Sequence, residues 1–278
     1  MIDLFHLTAF KCSKLITQHY STSFTLGIQT LDKSLHYPIY AIYGFVRYAD
    51  EIVDTFHEFD KADLLARFKA NTYQAIEEKI SLNPILNAFQ LVVHQYNIDL
   101  DLIEAFLHSM EMDLHHTRYE KQRYEEYIYG SAEVVGLMCL QVFCEGNRQE
   151  YESLKEPARR LGAAFQKVNF LRDMKSDFDD RGRVYFPNLN YQQFDQHTKA
   201  AIEADIEADF KAAHAGIVRL PKKARFGVYL AYRYYIKLFQ KIKRSSTETL
   251  LDHRIRVPDA KKMYLLVSGY CRHQLNYI

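Results

Sequence analysis

The scarcity of turn-forming residues is the feature that most constrains the fold of this chain. Its 278 residues include 10 glycines and 6 prolines, which together are about half of average usage. A sheet with many tight turns needs more of both residues. Apolar residues instead recur three and four positions apart, with little strict alternation, as in amphipathic helices. The sequence therefore predicts an all-α fold of eight to ten helices in a single domain over residues 1–278.

Prolines mark several of the expected helix starts. Tyr37-Pro38 precedes a periodic segment at 39–56. Asn83-Pro84 offers an N-cap and a proline at the first helical position before 85–96. Further helices are expected after Pro221 and Pro258, and at about 60–80, 99–116, 121–145, 149–178 and 199–219. The one clear loop with turn chemistry lies at 179–183.

Charge and composition narrow the function classes. Lys and Arg total 36 against 35 Asp and Glu, a formal net charge of +1, so no nucleic-acid partner is expected. No run approaches 18 apolar residues, and the first residues lack the apolar region of a signal peptide. The four cysteines show no C-x-x-C or zinc spacing. We therefore expect a cytoplasmic protein with free thiols.

A basic stretch at 237–244, with Lys222, Lys223 and Arg225 upstream, is a candidate contact for anionic lipid headgroups. That contact would make the protein peripherally membrane-associated. The alternative interpretation is an ordinary solvated helix face.

The segment 39–56 carries a polar stripe on an otherwise apolar helix. Its members fall at spacings of 4, 3 and 4, which places them on one helix face. Apolar neighbours such as Val46, Ala49 and Val53 predict that this face points inward or into a cleft. The stripe consists of Tyr43, Arg47, Asp50 and Asp54.

A second stripe follows the same design and also ends in an Asp-x-x-x-Asp pair. It consists of Gly162, Gln166, Asn169, Asp173 and Asp177, with Arg172 beside it. For either pair alone, a solvated helix end is the simpler interpretation. Two pairs that each continue an inward polar stripe point instead to a shared site.

Diphosphate chemistry needs such an arrangement. Mg²⁺ prefers oxygen ligands and is usually bound by one or two carboxylates plus substrate phosphates. Arginines complete the clamp on the phosphate oxygens. A departing diphosphate leaves a carbocation, which requires a dry, aromatic-lined cavity. The 21 tyrosines and 18 phenylalanines of this chain fit that requirement.

These residues resemble the squalene/phytoene synthase family, the head-to-head trans-isoprenyl diphosphate synthases, over roughly residues 15 to 270. The resemblance implies a helical bundle of the isoprenoid synthase type around a central apolar cavity. It is most like the bacterial phytoene synthases. The segments that carry it are YSTSF at 20–24, AIYGFVRYADEIVD at 41–54, MEMDLHHTRY at 110–119, YIYGSAEVVG at 127–136, NFLRDMKSDFDDRGRVYFP at 169–187 and HRIRVP at 253–258.

The resemblance also implies residue roles. Asp50, Asp54, Asp173 and Asp177 would bind Mg²⁺, for which Mn²⁺ can substitute. The residues implied to contact the diphosphates are Ser21, Ser23, Arg47 and Arg254. Beside the second acidic motif, the residues implied to bind substrate are Gln166, Asn169 and Arg172. Tyrosines near the reacting carbons or in the substrate site are Tyr43, Tyr127 and Tyr235. From the inward face of the segment after residue 130, we expect the isoprenoid tails to be lined by Ala132, Val135, Gly136 and Cys139, with Leu140 and Phe143 deeper.

Two positions depart from the family pattern. The first acidic motif begins Asp-Glu where many relatives have Asp-Asp. Glu133 stands where relatives usually have glycine, near a helix break beside the substrate tails. A separate acidic and histidine cluster lacks H-E-x-x-H order and is interpreted as a packed or surface-facing helix with Asp113 structural; it contains His108, Glu111, Asp113, His115 and His116.

The resemblance implies a condensation of two allylic diphosphates through a cyclopropylcarbinyl diphosphate to a linear hydrocarbon. Small residues nearest the motif favour two geranylgeranyl diphosphates and phytoene, a step of carotenoid biosynthesis. The alternative is squalene or dehydrosqualene from two farnesyl diphosphates. Since the chain contains no G-x-G, we expect no NADPH-dependent step. A terpene cyclase and a non-catalytic assembly subunit remain further alternatives.

Overall fold

Helices account for nearly all regular structure in the computed structural model, which describes residues 1–115, 119–187, 189 and 194–255. No β-strand occurs among these residues, and the all-α prediction is confirmed. The helices are α1 (Ile2–Tyr20), α2 (Thr22–Gln29), α3 (Lys33–Asp54), α4 (Lys61–Glu78), α5 (Pro84–Tyr96), α6 (Leu100–His115), α7 (Lys121–Ile128), the π-helix π1 (Tyr129–Glu133), α8 (Val134–Phe143), α9 (Arg148–Arg181), α10 (Gln196–Ile217), α11 (Lys222–Arg244) and α12 (Thr247–Asp252).

The helix count exceeds the expected eight to ten even within the described residues. The short helices α2 and α12 and the N-terminal helix α1 were not predicted, and π1 interrupts the helix expected at 121–145. The expected loop at 179–183 begins only at Gly182, which has φ of 64° and ends α9. The helix expected after Pro258 lies outside the described residues.

Side-chain caps explain where two helices begin. Pro38 lies inside α3 rather than before it, because Asp32 already caps the helix by accepting a 2.9 Å hydrogen bond from the Ser34 backbone N–H. At α5 the prediction is confirmed: Asn83 accepts a 2.9 Å hydrogen bond from the Ile85 backbone N–H, and Pro84 takes the first helical position.

Two hydrophobic clusters hold the helices together. The first joins α1, α3, α4, α5, α6 and α8, and includes Phe45 stacked on Phe89 with ring centroids 3.9 Å apart. The second joins α7, α9, α10, α11 and α12 and is rich in aromatic side chains. Helix α3 belongs to the first cluster and the C-terminal half of α9 to the second, so the two acidic stripes lie on helices from different clusters.

Close helix approach surrounds π1. A Cβ added to Gly130 would lie 2.4 Å from the Ala105 carbonyl oxygen of α6, and one added to Gly162 of α9 would lie 2.7 Å from the Ala132 carbonyl oxygen. Only glycine fits at these two positions, because any side chain would overlap the neighbouring backbone. These contacts fix π1 between α6 and α9. No helix in the described part of the chain combines the length and apolar character needed to cross a bilayer.

Candidate active site

The acidic stripe of α3 lies along one side of the helix, and each of its four side chains is partly open. The Arg47 guanidinium lies 4.0 Å from the Asp50 carboxylate, pairs with Glu51, and stands over the Tyr20 ring at 4.5 Å from its centroid. Its Nε is buried and has no hydrogen-bond partner among the described residues. The hydrogen-bonding capacity of Arg47 is thus not fully satisfied by the described residues.

Asp50 is the least compensated carboxylate of the stripe. Burial, followed by the neighbouring charge of Asp54, raises the pKa of Asp50 to about 7. Even so, 34% of its side chain is accessible. Within the described residues, its carboxylate accepts no direct hydrogen bond. The Arg47 guanidinium at 4.0 Å offsets only part of this shift, and a bound cation could supply further positive charge.

The acidic pair of α9 is more heavily paired with arginine. Asp173 contacts Arg172 (Nε to Oδ1, 2.9 Å) and Arg254 (Nε to Oδ1, 2.7 Å). Asp177 accepts a 2.7 Å hydrogen bond from Arg181. Burial and then the charge of Asp173 raise the pKa of Asp177 to about 7, although Arg181 opposes the shift.

A single arginine links the two acidic pairs. Arg181 Nη1 lies 2.7 Å from Asp177, and its Nη2 lies 3.5 Å from Asp54. Since one guanidinium reaches both carboxylates, the acidic ends of α3 and α9 face each other. The two stripes therefore meet at one site, as the shared-site hypothesis requires.

Asp113 and Arg183 belong to this site, although neither was predicted to lie there. Arg183 donates to Asp54 (2.8 Å) and to the Asp113 carbonyl oxygen (3.1 Å), and it lies 3.6 Å from the Asp113 carboxylate. Burial raises the pKa of Asp113 to about 6 against the opposing effect of Arg183. Two features of the sequence could have indicated these residues: Asp113 is an acid next to the buried methionines of α6, and Arg183 directly follows Gly182, which ends α9.

Tyr127 is held by this same network. It donates a 2.8 Å hydrogen bond to Asp113, which also accepts one from Tyr119 at 3.0 Å. Its ring packs against Tyr185 and Phe170, with centroids 5.1 and 6.1 Å away. The side chain is buried with its hydroxyl on Asp113, so it orients that carboxylate.

The other two predicted tyrosines stack on phenylalanines. Tyr43 stacks on Phe24 with centroids 4.8 Å apart, and Tyr235 stacks on Phe165 at 3.9 Å. Burial raises the pKa of both tyrosines, so both hydroxyls stay protonated at neutral pH. Each ring pair joins a helix of the site to a second helix.

A chain of hydrogen bonds crosses the site from π1 to α11. Tyr235 donates to Asn169 (3.2 Å), Asn169 to Gln166 (3.4 Å), and Gln166 to Ser131 (3.4 Å). Three of these residues were predicted to contact substrate. Ser131 was not, and its only signal was its place within the YIYGSAEVVG segment.

The serines of the YSTSF segment have different surroundings. Ser21 caps α2 by accepting a 3.2 Å hydrogen bond from the Phe24 backbone N–H. Ser23 is half-buried on α2. Ser21 therefore has a structural role as a cap beside the α3 stripe, and a contact with diphosphate would be additional to it.

The predicted tail-lining residues share the less buried side of π1 and α8. Ala132, Val135, Gly136 and Cys139 are half-buried, whereas Val134, Leu137 and Met138 of the same segment are enclosed in the core. Gly136 faces α9, where an added Cβ would lie 3.3 Å from the Ala158 carbonyl oxygen.

The two deeper positions of this segment differ in burial. Leu140 is 1% exposed and packs in the first hydrophobic cluster. It therefore lies deeper than the half-buried residues of this segment, and its expected place in the tail lining stays a prediction. Phe143 is half-buried like Cys139, four residues earlier.

The donor set fits a cation that is completed by substrate oxygens. Among the described residues, no group of three or more His, Cys, Asp or Glu side chains lies close enough together to hold a metal ion. Each acidic stripe supplies two carboxylates, which is the protein share that Mg²⁺ usually takes at phosphate sites. Within the described residues, the cluster of α6 forms no zinc site; His116 lies outside them.

Similar proteins share both the sequence and the fold. The sequence model of the squalene/phytoene synthase family matches residues 17–261. A phytoene synthase from Arthrospira platensis is 27% identical over 95% of this chain and 93% of its own length. A 4,4'-diapophytoene synthase from Staphylococcus haemolyticus is 26% identical over 70% of this chain and 67% of its own. The crystal structure of a dehydrosqualene synthase in complex with ligand has a TM-score of 0.82 at 22% identity, covering 97% of this chain and 98% of that one.

Proposed function

Because the chain belongs to the squalene/phytoene synthase family, we propose that it condenses two geranylgeranyl diphosphates head to head to phytoene. The observation that carries the proposal is the meeting of two acidic pairs from α3 and α9 on one arginine. The similar length and 27% identity of the phytoene synthase relative support the C20 substrate. The half-open row of small residues on π1 and α8 supports it as well.

Asp50, Asp54, Asp173 and Asp177 are the residues that would hold Mg²⁺. When bound, the ion neutralises charge on the departing diphosphate as a Lewis acid. Burial and then the neighbouring aspartate raise the pKa values of Asp50 and Asp177, so a bound cation would favour the charged form of both carboxylates. The partly exposed guanidinium of Arg47 would contact a diphosphate oxygen beside them.

The aromatic residues supply the environment for the cation. After the first diphosphate leaves, the C1 carbocation adds to the 2,3 double bond of the second substrate, and proton loss closes a cyclopropane. The second diphosphate then leaves, and rearrangement with proton loss gives the 1-1′ linked hydrocarbon. Tyr43 on Phe24 and Tyr235 on Phe165 offer ring faces that stabilise positive charge. The reaction requires that water, which would quench the cation, be excluded from the site.

A C15 reaction is the second candidate. It is favoured by the likeness to the diapophytoene synthase relative and to the dehydrosqualene synthase fold. Phe143, half-buried beyond Cys139 on α8, would shorten a tail channel that runs along this helix. In that case two farnesyl diphosphates would give dehydrosqualene, or squalene if a reductant takes part. We propose that no NADPH is consumed.

Product analysis tests the proposal directly. Purified protein is incubated with farnesyl or geranylgeranyl diphosphate, with Mg²⁺, with Mn²⁺ or with EDTA, and with or without NADPH. Chromatography with mass spectrometry then identifies the hydrocarbon, and released diphosphate is quantified. We expect phytoene from geranylgeranyl diphosphate, no product in EDTA, and no effect of NADPH.

The alternatives give different results in the same assay. A cyclic hydrocarbon made from one substrate molecule would identify a terpene cyclase. Failure to release diphosphate from either substrate at saturating Mg²⁺ would favour a non-catalytic assembly subunit. If farnesyl diphosphate reacted faster than geranylgeranyl diphosphate, giving a C30 hydrocarbon, the proposed substrate would be farnesyl diphosphate instead.

A further inference from the structure

Helix α11 has an extreme charge composition. Its 23 residues include eight Lys or Arg and no Asp or Glu, although the whole chain is nearly neutral. Its C-terminal turns expose almost only basic side chains, among them Lys237, Lys243 and Arg244. The positive charge is therefore concentrated on one element.

The neighbouring helix α10 does not neutralise this surface. Its four acids lie in ion pairs with lysines: Glu203 with Lys199, Asp205 and Asp209 with Lys167, and Glu207 with Lys243. Only the last of these pairs uses a basic residue of α11. The exposed Lys211 of α10 adds a further positive charge to the same side.

A groove with an aromatic floor runs between these two helices. It has a volume of about 470 Å³. Phe210 and Phe239 are buried at its base, while Tyr232 and Ile236 are half-buried along its walls. Its rim is polar, with two lysines against one glutamate, and is formed by Glu207, Lys211, His214, Gln240 and Lys243.

We propose that the α10–α11 groove and its basic rim are a docking surface for an anionic lipid bilayer. Exposed lysines and arginines on one face are attracted to the negative potential of such a leaflet. Aromatic and aliphatic walls beside that charge give the surface an apolar part that can enter the interfacial region. Charge complementarity thus selects a membrane as the occupant. The surface lies on the outer side of α11, whereas Tyr235, one residue before Ile236, faces the site through Asn169.

Vesicle co-sedimentation tests this surface independently of catalysis. The full chain is mixed with vesicles of pure phosphatidylcholine or of phosphatidylcholine with phosphatidylglycerol, at low and high salt. The test variant combines Lys211→Glu, Lys237→Glu and Arg244→Glu. The matched control changes the net charge equally at exposed positions of other helices, through Lys11→Glu, Arg67→Glu and Lys121→Glu.

We expect wild-type protein to sediment with the anionic vesicles only, and less at high salt. Since each basic residue near an anionic leaflet strengthens binding about fivefold, the test variant should bind on the order of 100-fold more weakly. The control should lose far less. A third variant, Ile236→Ser, should weaken binding at constant charge. Far-UV circular dichroism confirms that each variant is folded.

Three results would overturn the proposal. Wild-type protein could fail to bind anionic vesicles, or bind neutral vesicles equally well. The test variant could bind as tightly as its control, in which case the contact lies elsewhere. The exposed apolar residues of α1, including Leu4 and Leu7, would then be the next surface to change. None of these results bears on diphosphate release, so the proposed function is tested separately.

Discussion

Asp50 and Asp177 are carboxylates held where their charged forms are disfavoured. Each has its pKa raised to about 7, first by burial and then by the neighbouring aspartate of its own stripe. Strongly perturbed acids of this kind are concentrated at functional sites, because a site built for a cation is repulsive without it. The other carboxylate of each stripe, Asp54 in α3 and Asp173 in α9, is already paired with an arginine.

Replacing a single aspartate in either stripe should strongly lower turnover. We expect Asp50→Asn or Asp173→Asn to lower kcat on the order of 10²–10³-fold, as for the loss of one electrostatic contact to a developing charge. Folding should be retained, because the amide is isosteric with the carboxyl. Steady-state diphosphate release at saturating Mg²⁺ measures the effect.

Asp179 provides the matched control for that experiment. It lies on α9 two residues beyond Asp177, with 46% of its side chain exposed and a 3.1 Å contact to Lys175. Asp179→Asn should keep nearly wild-type activity. If Asp50→Asn and Asp173→Asn were as active as Asp179→Asn, the assignment of the two acidic pairs would be wrong.

The raised pKa of Asp50 also predicts a pH-dependent stability difference. Between about pH 4 and pH 7 the unfolded chain has released this proton while the folded chain still holds it, so this group lowers stability as pH rises. Asp50→Asn removes that loss. We expect the free energy of unfolding of the variant, relative to wild type, to be greater at pH 8 than at pH 5. Urea unfolding in metal-free buffer measures it, and an equal difference at both pH values would contradict it.

Helices could be predicted where apolar periodicity is strong, and they were missed where packing uses small residues. The buried positions of α1 are Ala9, Ser13 and Thr17, which make no apolar stripe. They are small because α1 packs closely on α3: a Cβ added to Gly44 would lie 3.1 Å from Ser13. Likewise π1 depends on contacts with α6 and α9 that no local pattern contains.

Site residues follow the same rule. The acidic stripes were predictable because each lies on one helix, with partners three or four positions apart. Arg183 was missed because its partners Asp54 and Asp113 are 129 and 70 residues away. Only the tertiary fold brings these three residues together, so their sequence spacing gives no indication of the contact.

Gly130 should be irreplaceable for the packing of π1. In Gly130→Ala the new Cβ would lie 2.4 Å from the Ala105 carbonyl oxygen and 2.7 Å from Ser109, so backbone must move. We expect destabilisation of about 1–3 kcal/mol or more from overpacking. Urea denaturation of the purified variant measures this change.

Gly27→Ala is the control for the substitution itself. Gly27 lies in α2, and an added Cβ would have no atom within 4 Å. There the exchange should stabilise the protein by about 0.5–1 kcal/mol, because alanine favours the helix. Equal effects at both positions would show that the close contact of π1 with α6 is not a packing constraint.

At the scale of the whole molecule, the site lies where the two hydrophobic clusters meet. Helix α3 brings Asp50 and Asp54 from the first cluster, and α9 brings Asp173 and Asp177 from the second. Helix α8 belongs to the first cluster but packs against α9 at Gly136. Its half-buried side therefore extends along the boundary between the clusters, which is where an apolar chain could lie.

Substrate length should depend on the residues along that boundary. One added methylene in an apolar pocket discriminates by only about 1–3 kcal/mol, so wild-type protein should accept farnesyl diphosphate more slowly than geranylgeranyl diphosphate. Cys139 is half-buried, and burial raises the pKa of its thiol to about 12, which keeps the position neutral and apolar. Cys139→Phe should shorten the channel and shift preference toward the C15 substrate, and Ala132→Phe should do the same. The measurement is the ratio of kcat/KM for the two diphosphates. Cys12→Phe is the control, because Cys12 is a half-buried cysteine on α1, outside α8. An unchanged ratio in both bulky variants would mean that the tails do not run along α8.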